Sequence, residues 1–226
     1  MSKQITVQLI DSMGSDLSVC NSARVSFAST SEMDMSDPWG PPKLKDKDAN
    51  LIRYLAKHKH LSPFNHTFVT FKVSAPVYVA RQLQKHEYMP WNEVSKRYVD
   101  DTPELYEPEW RSRSVDKKQG SGGPMEISLD SEMLYHATCR NALTTYERMI
   151  QEGVSPEQAR SILPQNMMTQ WFWSGTVGAV SKMCRLRCAS DTQAETREVA
   201  NQIHRIMMSK FPVSWDALTD ADYGEI

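Results

Sequence analysis

Long apolar runs are missing from this chain of 226 residues. None approaches the roughly 20 residues that a membrane-crossing helix needs, so no membrane partner is expected. The N-terminus, MSKQITVQLIDSMG, alternates like a short strand and lacks the apolar core of a secretory leader. Cysteine is scarce. Cys20, Cys139, Cys184 and Cys188 form no CxxC pair and no disulfide-like framework, and a reducing, cytoplasmic location is the expectation. Charge of one sign is not in excess either, since the formal net charge is -2. That argues against a non-specific nucleic-acid binder but leaves room for a local basic pocket around a small anion. Neither GxGxxG nor GxxxxGKS/T occurs, which removes the two common glycine-rich phosphate loops.

What is present suits a soluble globular chain, with 40% hydrophobic and 24% charged residues and enough length to bury a substantial core. No internal repeat is visible. Residues 29–50 are polar and rich in Pro and Asp, and residues 111–124 are charged and then Gly-rich. Both read as loop excursions from a single domain spanning 1–226. ANLIRYLAKHKH reads as a helix with Leu51, Tyr54 and Leu55 on one face. HTFVTFKV alternates, Thr67, Val69, Phe71 and Val73 against Phe68, Thr70 and Lys72, as a strand does. SAPVYVARQLQKHE then changes period, with Pro76 suited to a first helical turn and Pro90 placed to stop the helix.

The second half is more helical. Tyr135, Cys139, Ala142, Tyr146 and Met149 recur at helical spacing before Gly153. Ser155, Pro156 and Gln158 resemble a capping box. MMTQWFW reads as a strand, VGAVSKMCRLR as a short helix, and the segment from Ser190 to Phe211 as a long amphipathic helix capped near Ser190 and Gln193. The fold expected is α+β: a modest, mostly antiparallel sheet packed by several helices.

The densest chemistry lies in KHEYMPWNEVSKRY, residues 85–98. Arg81 and Lys85, like Gln82 and His86, are four apart and would share a helix face. Such a cluster either lines a cleft or simply offsets a helix macrodipole. Asn92, Glu93, Ser95 and Arg97 supply a carboxamide, a carboxylate, a hydroxyl and a guanidinium, the types a nucleotide pocket needs. The alternative is a polar turn entering an edge strand. His58, His60 and His66 have no Asp, Glu or Cys at a matching spacing, so no metal is expected. Cys184 and Cys188 flank Arg185 and Arg187, but no base partner for a thiolate is evident, and the cysteines suit the inner face of a helix. Trp171, Phe172 and Trp173 read as core.

Taken together these residues resemble the flavin-dependent thymidylate synthases. That family's signature is RHR, seven residues, then Ser, and here Lys85-His86-Glu87 is followed by seven residues and Ser95. The surrounding SPFNHTFVTFKVSAPVYVARQ and NEVSKRY, with ARVSF, ARSILP and Leu186-Arg187, extend the match from about Ile10 to Pro212. The resemblance implies methylation of dUMP to dTMP with methylenetetrahydrofolate as carbon donor, FAD as hydride carrier, NADPH as reductant, and no cysteine nucleophile. It implies a homotetramer with active sites between subunits.

Carried onto this sequence, the resemblance makes Arg187 the catalytic cation beside the uracil. Arg81, Gln82, Lys85, Glu93, Ser95, Lys96, Arg97 and Arg160 become dUMP contacts, Arg160 from a neighbouring subunit. Ser26, His60, Ser62, Lys85, His86, Glu87, Glu93, Thr176 and Lys182 become flavin contacts. The sequence departs from the pattern at Glu87, Pro90, Thr176, Lys182 and Asp191. Lys182 is then a replacement for the cation lost at Glu87. A related pyrimidine nucleotide hydroxymethylase or altered methylase, and a non-catalytic nucleotide-binding homologue, are the alternatives.

Overall fold

The computed structural model describes residues 4–115 and 120–219. Two long strands dominate it, β2 (Phe68–Pro76) and β6 (Met168–Thr176), each running directly into a helix. They pair antiparallel with Phe71 opposite Trp173 and Val73 opposite Trp171. β1 (Thr6–Met13) adds to β2, and the short edge strand β3 (Trp91–Glu93) adds to β6, giving the order β1-β2-β6-β3. Alternation explains the sheet: Val69, Phe71, Val73, Trp171 and Trp173 all point to one face and are almost wholly buried. Helices α1 (Asp16–Arg24), α2 (Asp46–Lys57), α6 (Val177–Arg187), α7 (Ala194–Lys210) and α8 (Pro212–Thr219) supply the other side of that core. The opposite face carries Phe172, which is 45% exposed.

The expected α+β architecture is therefore present, with changes in detail. On α2 it is Ile52, not Tyr54, that faces the core; Tyr54 is 54% exposed. Pro76 ends β2 and caps α3 (Val77–Leu83) from outside rather than occupying its first turn. α3 also ends earlier than the sequence suggests. Lys85, His86 and Glu87 lie in the turn beyond it, so their four-residue pairings with Arg81 and Gln82 share no helix face. The turn passes through Tyr88, whose φ of 59° is unusual for a bulky residue. The helix thus stops well before Pro90.

Much of the 29–50 excursion is irregular, pinned by a bridge between Asp34 and Lys43, but its last residues already belong to α2. The 111–124 excursion is not a simple loop. Arg111–Arg113 (β4) and Ser121–Pro124 (β5) form a two-stranded ribbon, and residues 116–119 fall outside the described residues. α4 (Leu129–Gln151) confirms the long helical repeat, with Gly153 at φ +88° just past its end. α5 (Pro156–Ala159) is a single turn. The Ser155 and Gln158 side chains approach only each other, at 3.5 Å, so no backbone-capping box forms. α7 begins after Gln193, which leaves Ser190 outside its cap.

One consequence of this layout governs the site. α3 leaves one end of the β2–β6 pair and α6 leaves the other, because the strands are antiparallel. Both helices return over the buried face, where Val79, Ala80, Leu83, Val180, Met183 and Cys184 join one core. A nine-residue strand is about 30 Å long, while α3 and α6 together span about 27 Å. Their C-terminal ends therefore meet.

Candidate active site

At that meeting point Arg187, the last residue of α6, donates its Nε–H to Nε2 of His86 at 2.9 Å. The two residues are 101 positions apart in the chain. Burial holds the His86 imidazole down at a pKa of about 4, and the Arg187 and Lys182 charges add to the effect. The ring is consequently neutral near pH 7, with its proton on Nδ1 and Nε2 free to accept. Burial also lowers the Arg187 guanidinium from its ordinary value. The guanidinium spends Nε–H on His86, so its Nη edge remains for a ligand.

This depressed histidine links folding to pH. Between its ordinary value of 6.5 and about 4, the unfolded chain binds a proton at His86 that the folded chain does not. Its contribution to stability is therefore whole above pH 6.5 and declines as pH falls towards 4. Urea midpoints across this range should fall more steeply for the wild type than for His86→Asn, which keeps an acceptor but cannot titrate. Parallel slopes would contradict a neutral, half-buried His86.

A cleft of about 580 Å³, within the range of small-ligand sites, opens at α3 and β3. It is lined by Arg81 of α3, Glu93 of β3, Ser95 and Lys96 just beyond, and Arg160 on the turn Arg160–Ile162, with Thr169 of β6 at its wall. Five of the residues expected around a nucleotide are thus gathered in one place. Arg160 lines the cleft of its own chain. The Glu93 carboxylate is clamped: Oε1 accepts from the Thr169 hydroxyl at 2.8 Å, and Oε2 accepts from the Trp91 indole N–H at 3.2 Å. Trp91 is itself stacked on Trp171, with ring centroids 4.4 Å apart, and meets Trp173 edge-on at 5.8 Å. Trp173 in turn lies 6.2 Å from His86, so packed rings connect the cleft to the Arg187 pair.

Some expected contacts are engaged elsewhere in the free chain. Lys96 Nζ donates to the Asp101 carboxylate at 2.6 Å and its backbone carbonyl at 2.7 Å. Arg97 sits at the rim, 3.8 Å from Glu157 and 5.4 Å from the Tyr98 ring. The Gln82 carboxamide is held on α7 by Gln193 and Thr196. Lys85 and Glu87 are exposed on the turn, and Ser26 is exposed on the turn Val25–Phe27.

A second, smaller pocket of about 260 Å³ lies against the other half of α6. Its lining mixes Lys59, Lys182 and Arg185 with the apolar Leu61 and Leu218, and includes Gly178 and Ser181. A Cβ at position 178 would lie 2.6 Å from Asn65 Oδ1, so a larger residue there would displace the Asn65 side chain. His60 and Ser62 flank Leu61 in sequence; His60 lies among Tyr54 and His58, with ring centroids 6.3 and 6.4 Å away. Thr176 accepts the Ala179 N–H at 3.1 Å as the cap of α6 and donates to Asn65 at 2.8 Å. Lysine and arginine side chains beside leucines suit a ligand with both anionic and apolar parts.

The thiols at the end of α6 are tied to one another. Burial, then a bond to Cys188, raises the Cys184 thiol well above its ordinary value, and that same bond lowers Cys188. Among the described residues no group of three or more His, Cys, Asp or Glu is placed to hold a metal ion. No helix among them is long and apolar enough to cross a membrane. Sequence reading missed Trp91, Asn65 and Gln193 as partners of the candidate site residues. Trp91 sat inside the stretch already singled out, but its bond to Glu93 needs residues 91–93 to be extended, so that both side chains share a face.

Residues 8–213 match the family model described as thymidylate synthase complementing protein. This chain belongs to that family. A flavin-dependent thymidylate synthase of Thermus thermophilus is 34% identical over 217 residues, covering 95% of this chain and 75% of the relative. That of Kosmotoga olearia is 34% identical over 221 residues, covering 96% and 91%. Among solved structures, the UMP/dUMP methylase PolB from Streptomyces cacaoi bound with 5-Br dUMP superposes with a TM-score of 0.82 at 30% identity, covering 97% and 96% of the two chains. The same enzyme bound with 5-Br UMP gives 0.78 at 29% identity. The protein is an enzyme of the flavin-dependent thymidylate synthase family, in the methyltransferase class.

Proposed function

We propose that this enzyme methylates dUMP to dTMP, taking its carbon from methylenetetrahydrofolate and its reducing equivalents from NADPH through FAD. The observation that carries this reading is the Arg187–His86 pair, joined through packed rings to a cleft holding Arg81, Glu93, Ser95 and Arg160. A permanent cation next to a pyrimidine lowers the cost of negative charge spreading over the imide. His86 acts on Arg187, fixing its orientation without adding a competing charge. In the cleft, Arg81 and Arg160 would hold the phosphate and Ser95 would donate to it, while clamped Glu93 accepts from a sugar hydroxyl. No step is assigned to a thiol.

The residues fit a flavin. Lys182 in the smaller pocket would hold its anionic part, with Lys85, His86, Glu87, Glu93, Thr176, Ser26, His60 and Ser62 as further contacts. Bound there, the cofactor supplies hydride. Lys182 acts electrostatically on His86, which supports its taking over the cation missing at Glu87. A homotetramer is part of the reading. Val25 and Phe27, 75% and 82% exposed on either side of Ser26, and Leu129, Met133 and Leu134 on α4 are apolar surface that a second copy would cover.

Purified protein incubated anaerobically with dUMP, methylenetetrahydrofolate, FAD and NADPH should yield dTMP, identified by mass. Absence of any dUMP-dependent flavin reoxidation would refute the assignment. The PolB likeness, with both a uridine and a deoxyuridine nucleotide analogue, favours UMP as a second acceptor to run in parallel. A product heavier by a hydroxymethyl group would instead identify the hydroxymethylase alternative.

A further inference from the structure

We propose that Glu195 is a positioning residue, a buried carboxylate that fixes, through Gln193, which way round the Gln82 carboxamide faces the nucleotide. The inference rests on the reading of Gln82 as a dUMP contact. Glu195 is the second residue of α7 and only 6% exposed. Its Oε1 accepts from Arg111 Nη1 at 2.8 Å, and its Oε2 accepts from Gln193 Nε2 at 3.0 Å. Arg111 is held on its other side by Glu109, also at 2.8 Å.

An ionised carboxylate can only accept, whereas a carboxamide can turn over and exchange donor for acceptor. Glu195 therefore sets the direction of the whole series. Gln193 must turn its N–H towards Glu195, which leaves its Oε1 for Gln82. Gln82 must then donate through Nε2 to Gln193. That in turn places Gln82 Oε1 on the far side, where the Thr196 hydroxyl donates to it at 3.1 Å. With both ends of the amide used once, one N–H and one lone pair remain for a ligand, in a fixed arrangement. A flipped amide would present the opposite pattern. Arg111 begins β4, so the 111–124 excursion forms the outer end of this series rather than a detached surface loop.

Four proteins test the proposal: wild type, Glu195→Gln, Gln82→Ala and the double variant, each full-length and FAD-loaded. Calorimetry gives the dUMP Kd, and steady-state rates give KM and kcat. Glu195→Gln is isosteric, but Arg111 holds its amide oxygen and turns its N–H towards Gln193, so the series reverses. It should raise the Kd and KM for dUMP about tenfold, with kcat within about threefold, since ground-state and transition-state binding fall together. In the Gln82→Ala background the same change should have no further effect on Kd. Equal effects in both backgrounds, or no effect of Glu195→Gln where Gln82→Ala weakens binding, would overturn the positioning role. If Gln82→Ala itself leaves Kd unchanged, the nucleotide contact fails and the inference falls with it. Gln193→Met breaks the series while leaving the Glu195 charge and its Arg111 bond in place. It should reproduce the Glu195→Gln Kd, and wild-type affinity in that variant would also overturn the proposal.

Discussion

Arg187→Ala should lower kcat for dUMP methylation by about 10²–10³-fold, the scale of losing one preorganised electrostatic donor. The side chain ends α6 and is held by His86, so its charge is aimed before substrate arrives. Preorganisation of this kind costs nothing at the moment of reaction, which is why its removal is felt in kcat. Stability should fall only by roughly 0.5–1.5 kcal/mol, one hydrogen bond to a half-buried ring. Arg187→Lys separates charge from shape. Lysine keeps the positive charge but has no forked guanidinium and no Nε–H to give His86. Its activity should lie between the wild type and the alanine variant. An Arg187→Ala protein within threefold of wild-type turnover would show that this cation takes no part in the chemistry.

Arg160→Ala should raise the KM for dUMP by about 30–100-fold while leaving kcat within a few-fold. That corresponds to roughly 2–3 kcal/mol, as for a charge-assisted bond to phosphate. Arg160 lines the cleft shared with Arg81 and Ser95. A phosphate is bound equally in ground and transition states, so the loss belongs in KM. Lys96→Ala makes the useful contrast. Lys96 lines the same cleft but is committed to Asp101, and its loss should matter less. If Arg160→Ala binds dUMP as tightly as wild type, the phosphate lies elsewhere. A larger effect for Lys96 than for Arg160 would mean that the Asp101 pair breaks on binding.

The sheet was legible because β2 and β6 alternate cleanly and lead into helices without a break in the pattern. The cleft was legible in part. Glu93, Ser95 and Lys96 are close in sequence, so any local structure keeps them together, and Arg81 follows from its position on α3. The union of His86 with Arg187 was not readable from either segment, since it depends on how far two helices travel back over the sheet. The end of α3 was misjudged because Lys85 and His86 continue the helical spacing, whereas the backbone turns at Gln84. Gln193 looked like a cap because its position before a helix is the same whether its amide serves the backbone or Gln82. The ribbon at 111–124 was hidden by its own Gly-rich composition, which favours loops and tight strand pairs alike.

The tip-to-tip meeting of α3 and α6 makes the sheet a ruler. The separation of His86 and Arg187 is set by how many rungs β2 and β6 share, nine from Phe68–Thr176 to Pro76–Met168, against the summed rise of two helices. Adding a single residue to either strand would lengthen the gap by about 3.4 Å and turn the following side chains to the wrong face. Length changes at 29–45 or between β4 and β5 touch neither quantity. Insertions placed in those excursions should therefore be tolerated, while one placed in either central strand should separate the pair.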